Sequence, residues 1–196
     1  MVKLSDVFDY RIVLASKSPR RLQLIKQMGF SVVTKKIDVN EDYSQEIDYR
    51  MVAEHLAHRK ADNCNVSELC DKDILLTADT MVFVDGLSYG KPKDRAQAID
   101  FIQNLSCKKH NVITGCCLKT KSKTVSFSVS TDVYFKKLSI EEIEYYIDKY
   151  QPFDKAGAYG IQEWIGCIGV EKIDGCFYNV MGLPTQELFK QIKQII

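Results

Sequence analysis

The stretch RIVLASKSPRR, residues 11–21, decides the fold, because it changes from one type of secondary structure to another. Its apolar first part, residues 11–15, predicts a buried strand. Pro19 suits the first position of a helix, since the N–H that proline lacks is one that a helix start leaves unpaired. The apolar residues that follow have helical spacing and end at Gly29, as is typical of a helix C-terminus. The sequence therefore predicts a strand, a serine-rich turn and a helix.

This turn has the composition of an anion-binding site. Two hydroxyls, two guanidiniums and main-chain N–H groups come together at the start of the helix, from Ser16, Ser18, Arg20 and Arg21. The partial positive charge of a helix N-terminus and the forked geometry of arginine both favour phosphate. An ordinary serine N-cap with solvated arginines explains this segment alone equally well. The segment is not a Walker loop, since it lacks the glycines and the Gly-Lys-Ser/Thr ending.

Composition limits the classes of function. The chain has 196 residues, of which 45% are hydrophobic and 27% charged, as is ordinary for a globular domain. Its 27 Lys and Arg nearly balance its 26 Asp and Glu, and the net charge is +1. This argues against binding to nucleic acid or to an acidic membrane through bulk charge, which needs many cationic contacts. Local clusters of positive charge still allow a small polyanion as ligand.

The cysteines and the first residues indicate a compartment. The seven cysteines show no C-x-x-C pair and no histidine at metal-ligand spacing, so neither a zinc site nor a disulfide framework is expected. Free thiols fit a reducing environment. Acids stand where a signal peptide has its apolar block, and no apolar run is long enough to span a membrane. We expect a cytoplasmic protein that does not associate with membranes.

The hydrophobic pattern predicts an α/β fold. Strands and helices do not alternate strictly, so we expect a mixed central sheet flanked by helices and not a doubly wound parallel sheet. Further helices are predicted over residues 49–63, after Asp94, after a capping box of Ser139 and Glu142, and from about Thr185. Further strands are predicted over 74–78, 81–84, 87–89, 112–119 and 124–135, and as a last hairpin of 164–173 and 176–181 that turns at Asp174-Gly175.

A candidate catalytic carboxylate follows the predicted strand 74–78. Asp79 would be held at the mouth of the sheet, where it can bind a divalent cation or accept a proton from water, and Thr80 can touch a ligand. A turn-forming aspartate is the alternative for Asp79. Lys91, fixed between a glycine and a proline, is a candidate phosphate contact.

The segment DKAGAYGIQ, residues 154–162, is the second distinctive stretch. Its small residues let the main chain approach a ligand closely. Lys155 can hold a phosphate, and Tyr159 and Gln162 can stack on a heterocycle or form hydrogen bonds with it. A glycine-rich turn is the simpler interpretation of the segment alone.

Together these segments resemble the Maf family, the septum-formation-inhibitor-like nucleotide pyrophosphatases. The resemblance covers residues 14–188. Any one motif would be weak evidence, but seven in the same order are specific. They are LASKSPRR (14–21), LAHRKA (56–61), ADTMV (78–82), GKPKD (90–94), HNVITG (110–115), DKAGAYGIQ (154–162) and NVMGLP (179–184).

The resemblance implies one domain over residues 1–196, with a mixed α/β fold related to the inosine-triphosphate pyrophosphatases and two lobes around a cleft. It also implies hydrolysis of a nucleoside triphosphate to the monophosphate and pyrophosphate with a divalent cation, Mg²⁺ or Mn²⁺. A homodimer is suggested by the family alone.

The resemblance also assigns roles to residues. Asp79 matches the family's proton acceptor, and Glu41 falls where the family has its metal-linked glutamate, so both are expected to contact the metal. Asn40 is a departure, because an acid is usual there. The specificity positions match Arg20, Thr80 and Gln162, and the positions that line the phosphates match Ser16, Lys60, Lys91 and Lys155.

The sequence around Gln162 indicates a branch of the family. AYGIQ, residues 158–162, resembles the branch that acts on dTTP and UTP. The amide of Gln162 offers both a donor and an acceptor, and a pyrimidine dione presents both. Glu163 and Trp164 replace small residues that are usual in the family, a change that can reshape the rim of the site.

We therefore expect a dTTP/UTP pyrophosphatase in which Ser16, Ser18 and Arg20 donate to the triphosphate. The alternative is a catalytically weak nucleotide-binding regulator of cell division that acts through a partner, and Asn40 leaves room for it. A nucleic-acid-binding domain is disfavoured by the charge balance and by the lack of a recognition motif.

Overall fold

A computed structural model describes residues 3–44 and 46–196 of the chain. Within these residues, strands and helices make up an α/β fold with a seven-stranded sheet. None of the helices in this part of the chain combines the length and the apolar composition needed to cross a membrane.

The helices agree with most of the sequence predictions. Three short 3₁₀ helices lie at Val66–Glu68, Pro152–Asp154 and Ala156–Ala158. The α-helices are α1 (Leu4–Phe8), α2 (Pro19–Gln27), α3 (Tyr49–Asp62), α4 (Arg95–Leu105), α5 (Ile140–Tyr150), α6 (Trp164–Gly169), α7 (Phe177–Val180) and α8 (Thr185–Ile195).

The sheet is mixed, as predicted. Its strands are β1 (Arg11–Leu14), β2 (Ser31–Thr34), β3 (Asp73–Val84), β4 (Leu87–Tyr89), β5 (Lys109–Lys119), β6 (Thr124–Phe135) and β7 (Val170–Asp174). The strand order is β2-β1-β3-β5-β6-β7, with β4 on β3. Strand β1 pairs in parallel with β2 and β3, whereas β4 and β7 are antiparallel to β3 and β6.

The decisive stretch folds as its sequence predicts. Strand β1 ends at Leu14, and Ser18 caps α2 by accepting a hydrogen bond from the main-chain N–H of Arg21 at 3.4 Å. Pro19 is the first helical residue. Gly29 has a φ of 88°, the left-handed conformation that glycine supplies at a helix end.

Two predictions of the local structure were wrong. Residues 74–78 and 81–84 belong to one strand, β3, so Asp79 lies within a strand and not at its end. The main chain stays extended through Asp79 and Thr80. Two polar residues in a row therefore do not by themselves indicate the end of a strand.

The predicted hairpin at Asp174-Gly175 is the second correction. Residues 164–169 and 177–180 are the helices α6 and α7, and only β7 between them is a strand. The amide of Asn179 donates at 3.0 Å to the carbonyl of Val112 and to the hydroxyl of Thr131, which anchors α7 through contacts distant in sequence.

The chain divides into two compact units, as the resemblance implied. Among the described residues, the first comprises those up to Asp79, Thr114–Val129 and Gly182–Ile196. The second comprises Thr80–Ile113 and Ser130–Met181.

In the first unit, helix α3 lies directly on strand β5. A Cβ atom on Gly115 would stand only 2.2 Å from main-chain atoms of Ala53 and Glu54, so this contact requires glycine.

Buried thiols complete this core, and burial raises the pKa of Cys116 to about 12. All seven cysteines have free thiols in the structure.

The core of the second unit contains a buried histidine. His110 is 1% exposed and its Nε2 lies 2.8 Å from the hydroxyl of Tyr159. Its ring packs edge-on against Phe135 with centroids 4.9 Å apart. Burial lowers the pKa of His110 to about 3, so the ring is neutral at pH 7.

Candidate functional site

The start of α2 is organised by the two serines. The hydroxyl oxygen of Ser16 accepts hydrogen bonds from the main-chain N–H of Ser18 and from Nη1 of Arg21, both at 3.2 Å. Since these bonds use the oxygen as an acceptor, its hydrogen is the group that Ser16 can offer to an anion. Arg20, the second residue of α2, is partly buried. The predicted hydroxyls and guanidiniums are therefore together at this helix start.

Arg21 contacts main-chain carbonyls in addition to Ser16. It donates from Nη1 to the carbonyl of Ala78 at 2.8 Å and from Nε to the carbonyl of Gly182 at 2.9 Å. Loss of hydration lowers the pKa of its guanidinium, and the charge of Asp79 acts in the opposite direction. These bonds give Arg21 a positioning role, since it ties α2 to the residue before Asp79.

Two predicted carboxylates converge on one lysine. Nζ of Lys60, near the end of α3, lies 2.5 Å from Oδ1 of Asp79 and 2.7 Å from Oε1 of Glu41. The side chains of Lys60 and Asp79 are each 12% exposed, whereas that of Glu41 is 51% exposed. The structure thus brings the predicted base, the predicted metal-linked glutamate and a predicted phosphate contact together within the first unit.

The loop that carries Glu41 is held by Arg59. The guanidinium of Arg59 donates to the carbonyl of Asn40 and, at 2.6 Å, to the carbonyl of Asp42. The side-chain oxygen of Asn40 accepts from the N–H of Asp42 at 2.8 Å, which closes an Asx turn. Asn40, the departure from the family pattern, therefore shapes the turn that presents Glu41.

The donor set of this cluster fits a divalent cation. Among residues 3–44 and 46–196 there is no group of three or more His, Cys, Asp and Glu side chains that could hold a metal. Mg²⁺, however, is commonly bound by one or two carboxylates together with substrate phosphates. Asp79 and Glu41 offer two carboxylates of this kind, and both contact the ammonium of Lys60.

The second unit brings three sequence motifs together. The main-chain N–H of Gly157 donates to the carbonyl of Gly90 at 3.0 Å, which joins the segment of Lys91 to that of Lys155. Gly157 has a φ of 69°, and a Cβ there would stand 3.2 Å from the methyl groups of Val82 on β3.

The four predicted residues of the second unit differ in exposure. Lys91 and Gln162 are exposed, Thr80 is partly buried, and Lys155 is buried at 8%. Tyr159 corrects an expectation: it is 5% exposed and contacts His110, so it is a core residue and does not stack on a heterocycle.

Lys155 lies between two carboxylates. Its Nζ is 2.8 Å from Oδ1 of Asp154 and 3.1 Å from Oε1 of Glu163. The other oxygen of Glu163 accepts a hydrogen bond from the hydroxyl of Tyr146, and this hydroxyl also accepts from the N–H of Gly160 at 3.0 Å. This network was not predicted from the sequence.

Sequence reasoning missed Arg59 and Tyr146 and gave Arg21 only a phosphate role. The side chain of Arg59 projects from the helix that carries Lys60, but its acceptors are carbonyls of a loop. Tyr146 has the spacing of a core residue in α5, and it is fully buried. No local signal distinguishes such residues from ordinary solvated or core side chains.

Comparison with known proteins gives consistent similarities. A family model described as "Maf-like protein" matches residues 11–195. A dTTP/UTP pyrophosphatase of Bacteroides thetaiotaomicron is 46% identical over 193 residues, which are 98% of this chain and 100% of the relative. Proteins of the same name from Parabacteroides distasonis and Porphyromonas gingivalis are 47% and 44% identical, over 97% of this chain and 98% and 96% of the relatives.

Proposed function

The chain belongs to the Maf family, and we propose that it hydrolyses dTTP and UTP to the nucleoside monophosphate and pyrophosphate. The substrates are those named for its relatives over nearly their whole length. The observation in this chain that carries the proposal is the convergence of Asp79 and Glu41 on Lys60. Two carboxylates and a lysine at one point can hold a cation, a water molecule and a phosphate oxygen.

We assign binding of the triphosphate to hydrogen-bond donors and cations. Ser16 and Ser18 offer hydroxyls, and Arg20 offers a guanidinium, at the positive end of α2. Their charges and dipoles are fixed by the fold, so little reorganisation is needed when charge develops on the phosphates. Lys60, Lys91 and Lys155 supply further positive charge, and Thr80 and Gln162 are the proposed specificity positions.

In the proposed reaction, water attacks the α-phosphorus, the bond to the bridging oxygen of the β-phosphate breaks, and pyrophosphate leaves. Asp79 accepts the proton of the attacking water, and Lys60 orients the carboxylate through its 2.5 Å contact. Asp79 and Glu41 would hold the divalent cation of the family, which neutralises phosphate charge and lowers the pKa of bound water.

We also propose that residues 1–196 act as one functional domain in the cytoplasm. The seven free thiols support a reducing compartment. A homodimer is proposed from the family resemblance alone, and sedimentation of the purified chain tests it.

A nucleotide panel tests the function. The purified chain is mixed with dTTP, UTP, CTP, GTP or ATP and with Mg²⁺ or Mn²⁺, and pyrophosphate is measured. We expect dTTP and UTP to show kcat/KM values at least roughly tenfold above the others, which corresponds to about 1.4 kcal/mol of transition-state discrimination. Binding of nucleotide without release of pyrophosphate contradicts the proposal and supports the regulator instead.

A further inference from the structure

The carboxylate of Glu163 is turned away from its own helix. Glu163 is the N-cap residue of α6, yet its side chain makes no capping hydrogen bond. Its two oxygens contact Lys155 and Tyr146 instead. The side chains of Glu163 and Lys155 are 19% and 9% exposed, so this ion pair is largely shielded from water. Each oxygen of Glu163 therefore has a partner, and the attraction between Glu163 and Lys155 is screened less than that of a surface pair.

Tyr146 fixes this carboxylate from inside the core. The ring of Tyr146 is fully buried and stacks on Tyr150 with centroids 5.2 Å apart, so its hydroxyl has little freedom. Burial and the neighbouring carboxylate raise the pKa of Tyr146 above its usual value, so the hydroxyl remains a donor to Glu163. The same oxygen accepts the N–H of Gly160.

The turn that starts at Gly160 carries Gln162. The main-chain N–H of Glu163 donates to the carbonyl of Gly160 at 3.0 Å, which closes the turn. A Cβ on Gly160 would lie 3.1 Å from the amide nitrogen of Gln162 and 2.8 Å from Cδ of Glu163. Both side chains therefore lie close to Cα of Gly160, in the turn whose first N–H is bonded to Tyr146.

We propose that Glu163 and Tyr146 are positioning residues that set both the phosphate contact of Lys155 and the base contact of Gln162. The inference rests on the proposed function, because it assigns Lys155 to the triphosphate and Gln162 to the pyrimidine. Glu163 fixes the ammonium through charge, and Tyr146 fixes the turn through its hydroxyl. The two contributions are therefore separable by substitution.

Two substitutions separate them. Glu163→Gln keeps the shape and an oxygen for Tyr146 but removes the more shielded of the two charges that hold Lys155, and Asp154 remains as the other. We expect KM to rise about tenfold, or about 1.4 kcal/mol, for UTP, dTTP and CTP alike, because the phosphates are common to all three. The preference for UTP over CTP should stay within about twofold of the parent. Tyr146→Phe frees the N–H of Gly160, and we expect the preference for UTP over CTP to fall at least about fivefold.

Matched controls carry the same chemical changes at exposed positions of the second unit. They are Glu171→Gln on β7 and Tyr178→Phe on α7, and neither should change KM or preference. Glu163→Ala removes both contacts and should combine the two effects. Thermal melting of each variant shows whether it folds, and Glu163→Gln, which keeps the side-chain shape, still tests the charge if Glu163→Ala does not fold.

Binding of α,β-imido-UTP and α,β-imido-CTP, measured by equilibrium dialysis, gives a readout independent of turnover. A parent that binds and hydrolyses UTP, with Glu163→Gln and Tyr146→Phe unchanged in both KM and preference, overturns this inference and leaves the proposed function intact. A parent that neither binds the analogues nor releases pyrophosphate overturns the proposed function and the inference with it.

Discussion

The guanidinium of Arg21 donates a hydrogen bond of 2.8 Å to the main-chain carbonyl of Ala78, the residue before Asp79. The same nitrogen donates to the hydroxyl of Ser16 at 3.2 Å. One side chain therefore connects the start of α2, where the triphosphate is proposed to bind, with the strand that carries the proposed base. A positive charge alone at residue 21 is not sufficient for this, because the geometry requires several nitrogen donors in one plane.

We predict that Arg21→Lys destabilises the protein by about 2 kcal/mol, since a lysine leaves at least one of the carbonyls of Ala78 and Gly182 unpaired. The free energy of unfolding is measured by urea denaturation. Arg50→Lys is the control, because Arg50 is exposed and its guanidinium donates to the hydroxyl of the adjacent Tyr49. Equal stabilities of the Arg21 and Arg50 variants would contradict the positioning role.

Asp79→Asn should lower kcat for dTTP by about 10²-fold or more, the usual effect of removing a general base. The fold should persist, since asparagine has the same shape and Lys60 keeps its contact with Glu41. Steady-state rates and thermal melting are measured together. Asp85→Asn, in an exposed turn, is the matched change and should leave kcat unaltered. Near-parental turnover in Asp79→Asn would exclude this residue as the proton acceptor.

Gln162→Leu should change substrate preference more than stability. Gln162 is exposed, so its loss removes little packing, but leucine can neither donate to nor accept from a pyrimidine dione. We expect kcat/KM for UTP to fall at least about tenfold relative to that for CTP, as when a buried polar contact with a substrate is lost. An unchanged ratio would show that Gln162 does not read the base.

His110 should make the stability depend on pH. Its pKa is about 3 in the folded chain and about 6.5 when unfolded. Between these values the unfolded state binds the extra proton, so acidification lowers the free energy of unfolding by up to about 1.4 kcal/mol per pH unit. This contribution is complete above pH 6.5 and is lost as the pH falls towards 3.

The variant His110→Gln tests that contribution, since glutamine can still contact the hydroxyl of Tyr159 but does not titrate in this range. Urea denaturation between pH 4 and pH 7 should give a flatter dependence for the variant than for the parent. Identical slopes would mean that the imidazole is protonated equally in both states.

Local signals predicted those parts of the fold that depend on neighbouring residues. Ser18, Pro19 and Gly29 mark the ends of α2 through hydrogen bonds and main-chain angles within the helix itself. The capping box of Ser139 and Glu142 likewise fixed the start of α5, and both of its bonds are present.

Contacts between distant residues account for what the sequence did not reveal. The two carbonyls that accept from Arg21 are 57 and 161 residues away, and the acceptors of Asn179 are 67 and 48 residues away. The carboxylate network of Glu163 depends on how α5 packs against residues 155–163. Hydrophobic spacing does not predict these hydrogen bonds, because their donors and acceptors are far apart in sequence and come together only in the folded chain.

Gly115 has a consequence for the proposed chemistry although it contacts no substrate group. The main chain of Ala53 occupies the space of its missing side chain, and Lys60 follows on the same helix, about two turns later. Even one methyl group at residue 115 would push helix α3 away from strand β5, and the ammonium of Lys60 would move away from Asp79 with the helix. The absence of a Cβ atom at Gly115 thus helps to set the distance between the ammonium of Lys60 and the carboxylate of Asp79.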